Sequence, residues 1–317
     1  MLGETAEVDG RRPARSGHLL ASHGRFGTMD QQYAANPYPA HCCVMSEANT
    51  YLLAGQESEL ERLRLQSRVW EPAGRAILDR IPRPPRSTAV DIGCGAMGWL
   101  RVLSEWAGTE GTITGTDIDE RMLAAARSFV QSESLTNVIV EQDDLFDTRL
   151  PLRAFDLLHA RFQIAPLGRA PQQLASYLRL LKPGGWIVLE DPDMSSWKVT
   201  PAAPAVEKLI GLIRDGFVAG GGNFDAGLAL PGLLAASGLH PRIEAAVVAL
   251  EPGHPYLRLP IQFATSLRPR LEAKMRPAEL EVLIAEAESE LARAGTWGTT
   301  FTLIQVYAQV QDDKPPI

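Results

Sequence analysis

Short apolar runs alternate with segments of helical spacing over much of the chain after residue 86. The first run ends on Asp91, and apolar residues at helical spacing follow a glycine-rich turn from Trp99 to Trp106. Strands that alternate with helices predict an α/β fold. Further runs of strand length cover 112–115, 138–142, 154–162, 184–193, 242–250 and 301–310.

The first 86 residues lack this alternation. Residues 1–48 have no sustained period and cannot bury enough apolar surface to offset the entropy of ordering, so a mobile N-terminal extension is predicted. Residues 57–78 carry apolar positions at helical spacing, but Pro72 and Gly74 interrupt the run. Since proline removes a hydrogen bond inside a helix, two helices rather than one are predicted there.

A glycine-rich turn, VDIGCGAMG, follows the first predicted strand and covers residues 90–98. Its spacing, Gly93-x-Gly95-x-x-Gly98, fits a dinucleotide site as well as other nucleotide-like ligands, so the spacing alone does not choose between them. Asp91 adds information, because a carboxylate two residues before the first glycine would repel a pyrophosphate at the helix N-terminus. The turn therefore favours a cationic ligand.

In full, this turn resembles motif I of the class I S-adenosylmethionine-dependent methyltransferases. The run LRLLKPGGWIVLEDPD, residues 178–193, is similar to the segment that leads into the fifth strand of that family. The resemblance implies a Rossmann-like, doubly wound, seven-stranded sheet with a final antiparallel strand. It also implies a helical lid at 49–86 and a core at 87–317, with substrate-pocket insertions at about 194–235 and 251–297.

Several residues match the cofactor-binding pattern of that family. Asp117 ends the second strand about 24 residues after Gly93, where a carboxylate can accept hydrogen bonds from both hydroxyls of a ribose. The resemblance implies that Asp143 meets the adenine amino group and that Arg161 lies under the cofactor and beside the substrate. A helix cap for Asp117 and a solvated turn for Asp143 are the alternatives. The predicted cofactor-binding residues are Asp91, Gly93, Gly95, Asp117, Ile118, Asp143, Asp144, Leu145 and Arg161.

Three residues are candidates for catalysis. Asp191 lies at the carboxyl end of the fifth apolar run, where it can hold or deprotonate a substrate group or simply cap a loop. His159, two residues before Arg161, can act as a base because the imidazole pKa lies near working pH, although a buried core histidine is the alternative. Tyr51 belongs to the predicted lid, unless it only packs beside leucines. No metal is expected, since the His-Cys-Cys triplet at 41–43 has no second pair of ligands.

Charge and composition exclude several functions. A formal net charge of −7 and a sequence pI near 5.5 argue against a nucleic-acid substrate. No apolar run approaches the roughly 20 residues that span a bilayer. With three cysteines there is no disulfide framework, and a cytoplasmic chain is predicted.

The sequence thus predicts methyl transfer from S-adenosylmethionine to a small-molecule acceptor, in specialised metabolism, by in-line displacement. Such an enzyme mainly aligns the nucleophile with the methyl group and excludes water. Two alternatives stay open, an NAD-dependent oxidoreductase and a cofactor-binding member repurposed for non-methylating chemistry. The acceptor, its reacting atom and the oligomeric state are not predicted.

Overall fold

The computed structural model describes residues 57–311. Within them the α-helices are α1 Glu57–Leu78, α2 Leu100–Ala107, α3 Glu120–Ser132, α4 Ile164–Leu167, α5 Ala170–Leu180, α6 Pro204–Ala219, α7 Leu230–Ala236, α8 Leu259–Ser266, α9 Arg268–Glu272 and α10 Pro277–Ala292. The strands are β1 Thr88–Ile92, β2 Thr112–Asp117, β3 Val138–Gln142, β4 Phe155–Arg161, β5 Leu181–Asp193, β6 Lys198–Thr200, β7 Arg242–Ala246, β8 Ala249–Leu250, β9 Trp297–Thr299 and β10 Thr302–Gln309.

Seven strands form one sheet in the order β3-β2-β1-β4-β5-β10-β7. The first five are parallel, and β10 runs antiparallel between β5 and β7. Separate apolar clusters cover its two faces. The predicted doubly wound, seven-stranded α/β fold with a final antiparallel strand is confirmed. Strand order reverses between β1 and β4, and such folds bind ligands beside the carboxyl ends of the strands at that point.

Helix α1 is continuous where the sequence predicts two helices. Pro72 lies on its exposed side, and so does Arg68, whose carbonyl would otherwise accept the hydrogen bond that proline cannot donate. Trp70 and Ile77, before and after the proline, are buried on the opposite side. Burial of apolar surface on both flanks offsets the missing bond.

The segments around α6 to α10 form a second hydrophobic core with the small sheet β6-β9-β8. Helix α1 packs against this core as well as against the main sheet. The indole N–H of Trp70 donates to the hydroxyl of Tyr256 at 3.4 Å, and the guanidinium of Arg62 lies 5.2 Å from the centre of the Phe263 ring. The helix therefore connects the inserted segments to the sheet.

The predicted strand at 242–250 is divided between the two sheets. Its first part, β7, pairs with β10, while its last part, β8, pairs with β9. Between them, the N–H of Thr300 donates to the carbonyl of Val248 at 2.9 Å, and the N–H of Val248 donates to the Thr300 hydroxyl at 3.0 Å. These bonds replace a continued ladder with β10, so the chain passes from one sheet to the other.

The glycine of α1, Gly74, permits close packing between this helix and Trp99, the residue just before α2. A Cβ on Gly74 would lie 2.8 Å from the indole ring of Trp99, which is 1% exposed and cannot move aside. We expect Gly74→Ala to lower the free energy of unfolding by about 1–3 kcal/mol, the usual cost of overpacking. Chemical denaturation measures this change.

The matched control is Gly211→Ala in α6, where a Cβ would meet nothing within 4 Å. That substitution should raise the free energy of unfolding by up to about 1 kcal/mol, since alanine is the better helix former. Equal effects of the two substitutions would contradict the packing argument.

Candidate active site

A cleft with about 1170 Å³ of empty space lies at the carboxyl ends of β1, β2 and β4 and is bordered by α1. The structure brings all of the predicted cofactor-binding residues to its wall. These are Asp91, Gly93, Gly95, Asp117, Ile118, Asp143, Asp144, Leu145 and Arg161.

The glycine-rich turn is held in shape by the carboxylate of Asp91. Its Oδ2 accepts a hydrogen bond from the backbone N–H of Trp99 at 2.7 Å. A Cβ on Gly98 would collide with this same oxygen, and the φ of Gly98 is +45°. Only glycine satisfies both conditions, so the third glycine of the motif makes room for the side chain of Asp91.

Asp117 connects the end of β2 to the turn. Its two carboxylate oxygens accept hydrogen bonds from the backbone N–H groups of Gly95 at 3.0 Å and Asp119 at 2.9 Å. Burial raises the pKa of this carboxyl, although both N–H groups oppose the shift. Beside it, the side chain of Ile118 is 52% exposed at the cleft. Asp117 and Ile118 therefore place a carboxylate and an apolar side chain side by side on the wall of the cleft.

The segment after β3 supplies the next part of the wall. Asp143 accepts hydrogen bonds from the Thr148 hydroxyl at 2.6 Å and the Arg149 N–H at 2.8 Å. Asp144 accepts from the N–H of Phe146 at 2.9 Å. Both carboxylates therefore shape their own loop as well as bordering the cleft, and the contact predicted between Asp143 and an adenine stays a prediction.

His159 is fully buried, and both of its ring nitrogens face carboxylates. Nδ1 lies 2.7 Å from Oδ1 of Asp91, and Nε2 lies 3.1 Å from Oε2 of Glu190. The ring stacks on Trp99 at 3.7 Å between centres and 6° between planes. Burial by itself would lower the pKa of His159, but the two carboxylates outweigh burial and raise it. His159 also borders the cleft, and both of its ring nitrogens are engaged by carboxylates, so the role of a general base stays a prediction.

Arg161 ends β4 between the sheet and α1. Its Nη2 donates to the hydroxyl of Ser67 on α1 at 3.1 Å, and its Nη1 lies 3.7 Å from Oε2 of Glu190. Nη1 is buried and has no hydrogen-bond partner in the described part of the chain. Arg161 also lines the cleft, and a buried donor without a partner is uncommon in folded proteins.

Other residues of the wall were not predicted from the sequence. Phe146 borders the cleft, and the guanidinium of Arg169 lies 3.6 Å from the centre of its ring. The side chain of Gln163 fills the space above Gly93. Neither has a sequence signal, since each depends on how a loop folds back over the sheet. Tyr51 lies outside the described residues, as do the extension at 1–48 and the 41–43 triplet.

A family model described as a methyltransferase domain matches residues 89–185, which hold β1 to β4 and the start of β5. Over 228 residues the chain is 30% identical to nocamycin O-methyltransferase of Saccharothrix syringae, across 72% of this chain and 74% of that protein. The chain belongs to the class I S-adenosylmethionine-dependent methyltransferases. The family resemblance predicted from the sequence is thus confirmed, and the NAD-dependent alternative is set aside.

Two further proteins are similar to this methyltransferase, one over a shorter part of the chain and one in fold alone. The chain is 30% identical over 129 residues to aklanonic acid methyltransferase DauC of Streptomyces sp. (strain C5), across 41% of this chain and 59% of that protein. The YcgJ protein of Bacillus subtilis has a similar fold, with a TM-score of 0.50 and 16% identity over 74% of this chain and 97% of that chain. In residues 57–311, no helix has the length and apolar character needed to cross a membrane.

Asp191 of the methyltransferase does not line the cleft, in contrast to its predicted catalytic role. It is paired with Ile304 across the sheet and faces the opposite side from Glu190, because successive side chains of a strand alternate. Its oxygens accept hydrogen bonds from the N–H groups of Ile164 at 3.3 Å and Ala165 at 2.9 Å. The prediction is therefore wrong, and Asp191 caps α4.

This position predicts an unusual pH dependence of stability. Burial raises the pKa of Asp191 from 3.8 to about 7, against the two backbone hydrogen bonds. The folded state therefore keeps a proton that the unfolded state has lost, so this contribution to stability is present below pH 3.8 and is lost as the pH rises to about 7.

Across that range, we expect the methyltransferase to lose up to about 4 kcal/mol of stability relative to its Asp191→Asn variant. Denaturation curves of both proteins at several pH values measure the difference. Parallel pH dependence of the two proteins would contradict it.

Proposed function

We propose that this methyltransferase moves the methyl group of S-adenosylmethionine to an oxygen atom of a small-molecule acceptor. The observation that carries the proposal is a single cleft that the glycine-rich turn, Asp117, Arg161 and α1 all border. One ligand can therefore reach the turn while a second lies between that ligand and α1. The 30% identity to nocamycin O-methyltransferase supports the choice of oxygen.

The described residues fit this cofactor chemically. Asp117 would accept hydrogen bonds from the ribose hydroxyls, and the Nη1 donor of Arg161 would bind the carboxylate of the amino acid part. Ile118 and Leu145 supply apolar surface for the adenine ring, with Asp143 and Asp144 beside it. The backbone of the turn at Gly93 and Gly95 allows the close approach that the amino acid part needs.

The cofactor supplies a methyl group already activated by the positive charge on its sulfur. The contribution of this chain is then to bind, to orient and to exclude water. We assign the exclusion of water to α1, whose Leu63, Gln66 and Ser67 border the cleft. The predicted lid spans 49–86, of which residues 49–56 lie outside the described part of the chain. We place acceptor specificity in the insertions at about 194–235 and 251–297.

The part of the wall nearest α1 suits an acceptor that loses its own proton to water. Leu63, Phe162 and Leu167 provide apolar surface, and the amides of Gln66 and Gln163 provide hydrogen bonds. An amide can donate to a phenolate or enolate oxygen but cannot remove a proton from a weak acid. We therefore propose an acidic oxygen nucleophile, as in a phenol, a 1,3-dicarbonyl compound or a carboxylic acid.

The cofactor assignment is tested by the affinity for S-adenosylhomocysteine, the product left after methyl transfer, measured by calorimetry. Asp117→Ala should raise its dissociation constant roughly 10- to 100-fold, about 1.4 to 2.8 kcal/mol, because hydroxyl hydrogen bonds to a carboxylate are lost. Asp215→Ala, which removes an exposed carboxylate of α6, is the matched control and should leave the constant unchanged. Unchanged affinity in Asp117→Ala would refute the ribose contact.

The acceptor class is tested with S-adenosylmethionine that carries a labelled methyl group. Phenols, 1,3-dicarbonyl compounds and carboxylic acids are compared with amines of the same carbon skeleton. We expect label on an oxygen of at least one acid and on none of the amines. Transfer to amines alone would overturn the oxygen assignment, while tight product binding without any transfer would favour a repurposed, non-methylating member.

A further inference from the structure

Four charged side chains form a continuous row on the face of the sheet that α1 covers. Asp91 of β1 is in register with His159 of β4, and Arg161 of β4 is in register with Glu190 of β5. Side chains two residues apart on a strand share a face, so all four point the same way. Their exposed fractions lie between 0% and 8%, so water screens these charges very little.

The row alternates in charge when His159 is an imidazolium. Two carboxylates then balance one imidazolium and one guanidinium, and neighbouring groups lie 2.7, 3.1 and 3.7 Å apart. A buried charge is costly unless its neighbours compensate it, so the four groups depend on one another. The second oxygen of Glu190 accepts a hydrogen bond from the side-chain amide of Gln305, which fixes the row from β10.

Each end of the row reaches a different part of the cleft. At one end, Asp91 accepts a hydrogen bond from the backbone N–H of Trp99 and so stabilises the conformation of the glycine-rich turn. At the other end, Arg161 lines the cleft, and its Nη2 donates to the hydroxyl of Ser67 of α1. His159 is the group that joins these two ends, since it contacts both carboxylates.

We propose that His159 is a positioning residue that fixes the glycine-rich turn and the Arg161 guanidinium in one arrangement through Asp91 and Glu190. The inference rests on the proposed function, because the ligand that would benefit from both is the cofactor. It assigns His159 no proton transfer during the reaction. Its effect is on the affinity for the amino acid part of the cofactor, not on the chemical step.

The experiment compares a single and a double variant that differ in the net charge of the row. His159→Gln leaves two carboxylates against one guanidinium, whereas His159→Gln combined with Glu190→Gln leaves one of each. We expect His159→Gln to raise the dissociation constant for S-adenosylhomocysteine and the KM for S-adenosylmethionine roughly 5- to 150-fold, the usual range of coupling between sites. The double variant should bind more tightly than His159→Gln, because the row is neutral again.

The matched control is His240→Gln, which changes an exposed histidine and should leave both constants unchanged. Two outcomes would overturn the proposal. One is a lower kcat in His159→Gln with unchanged affinity, as expected of a catalytic base. The other is a lower melting temperature with unchanged affinity, as expected of a purely structural residue. Failure of the wild type to bind S-adenosylhomocysteine would instead refute the proposed function.

A measurement on the wild type keeps the inference testable if His159→Gln does not fold. In ¹⁵N NMR spectra, both ring nitrogens of His159 should carry protons at neutral pH, with and without S-adenosylhomocysteine. The spectra of the double variant identify the signal by its loss. A neutral ring at neutral pH would overturn the proposal, because the row would then carry excess negative charge.

Discussion

The buried carboxylate of Asp91 is the constraint on which the cleft depends. This carboxylate reaches into the turn because Gly98 has no side chain, and there it accepts a hydrogen bond from the backbone N–H of Trp99. A carboxylate that is 1% exposed needs compensating partners, and Nδ1 of His159 on the neighbouring strand lies 2.7 Å from its Oδ1. The glycine motif is therefore incomplete without a residue that lies 68 positions later in the chain.

Helix α1 is connected to three parts of the molecule at once. Gly74 allows it to pack on Trp99, Ser67 accepts from Arg161 at the cleft, and Trp70 contacts Tyr256 in the core formed by the inserted segments. One continuous helix carries all three contacts, since α1 is not interrupted at Pro72. A change in the inserted core can therefore shift α1 and alter the cleft without any substitution in the glycine-rich turn.

Much of the fold follows from local patterns in the sequence. Strand-length apolar runs, the glycine spacing and the acids at the strand ends predict the sheet and the residues of the cleft wall, because parallel strands place their carboxyl ends along one edge. What local patterns cannot supply is the register between strands. Register separates Glu190, which contacts His159, from Asp191, which faces the opposite side. The continuity of α1 was missed for a similar reason, since burial on both sides of Pro72 comes from distant segments.

The cofactor-binding residues and the wall proposed for the methyl acceptor differ in how many substitutions they tolerate, and this difference has a physical origin. The family model covers residues 89–185, which hold the glycine-rich turn, Asp117 and three members of the charged row, Asp91, His159 and Arg161. Charge balance in a buried row tolerates few single changes, because removal of one partner leaves another uncompensated. The apolar wall near α1, with Leu63 and Phe162, carries no such condition, since hydrophobic contacts lack direction and accept substitutions of similar volume. Under the proposed function, this wall can therefore change to suit a new acceptor while the cofactor-binding residues stay the same.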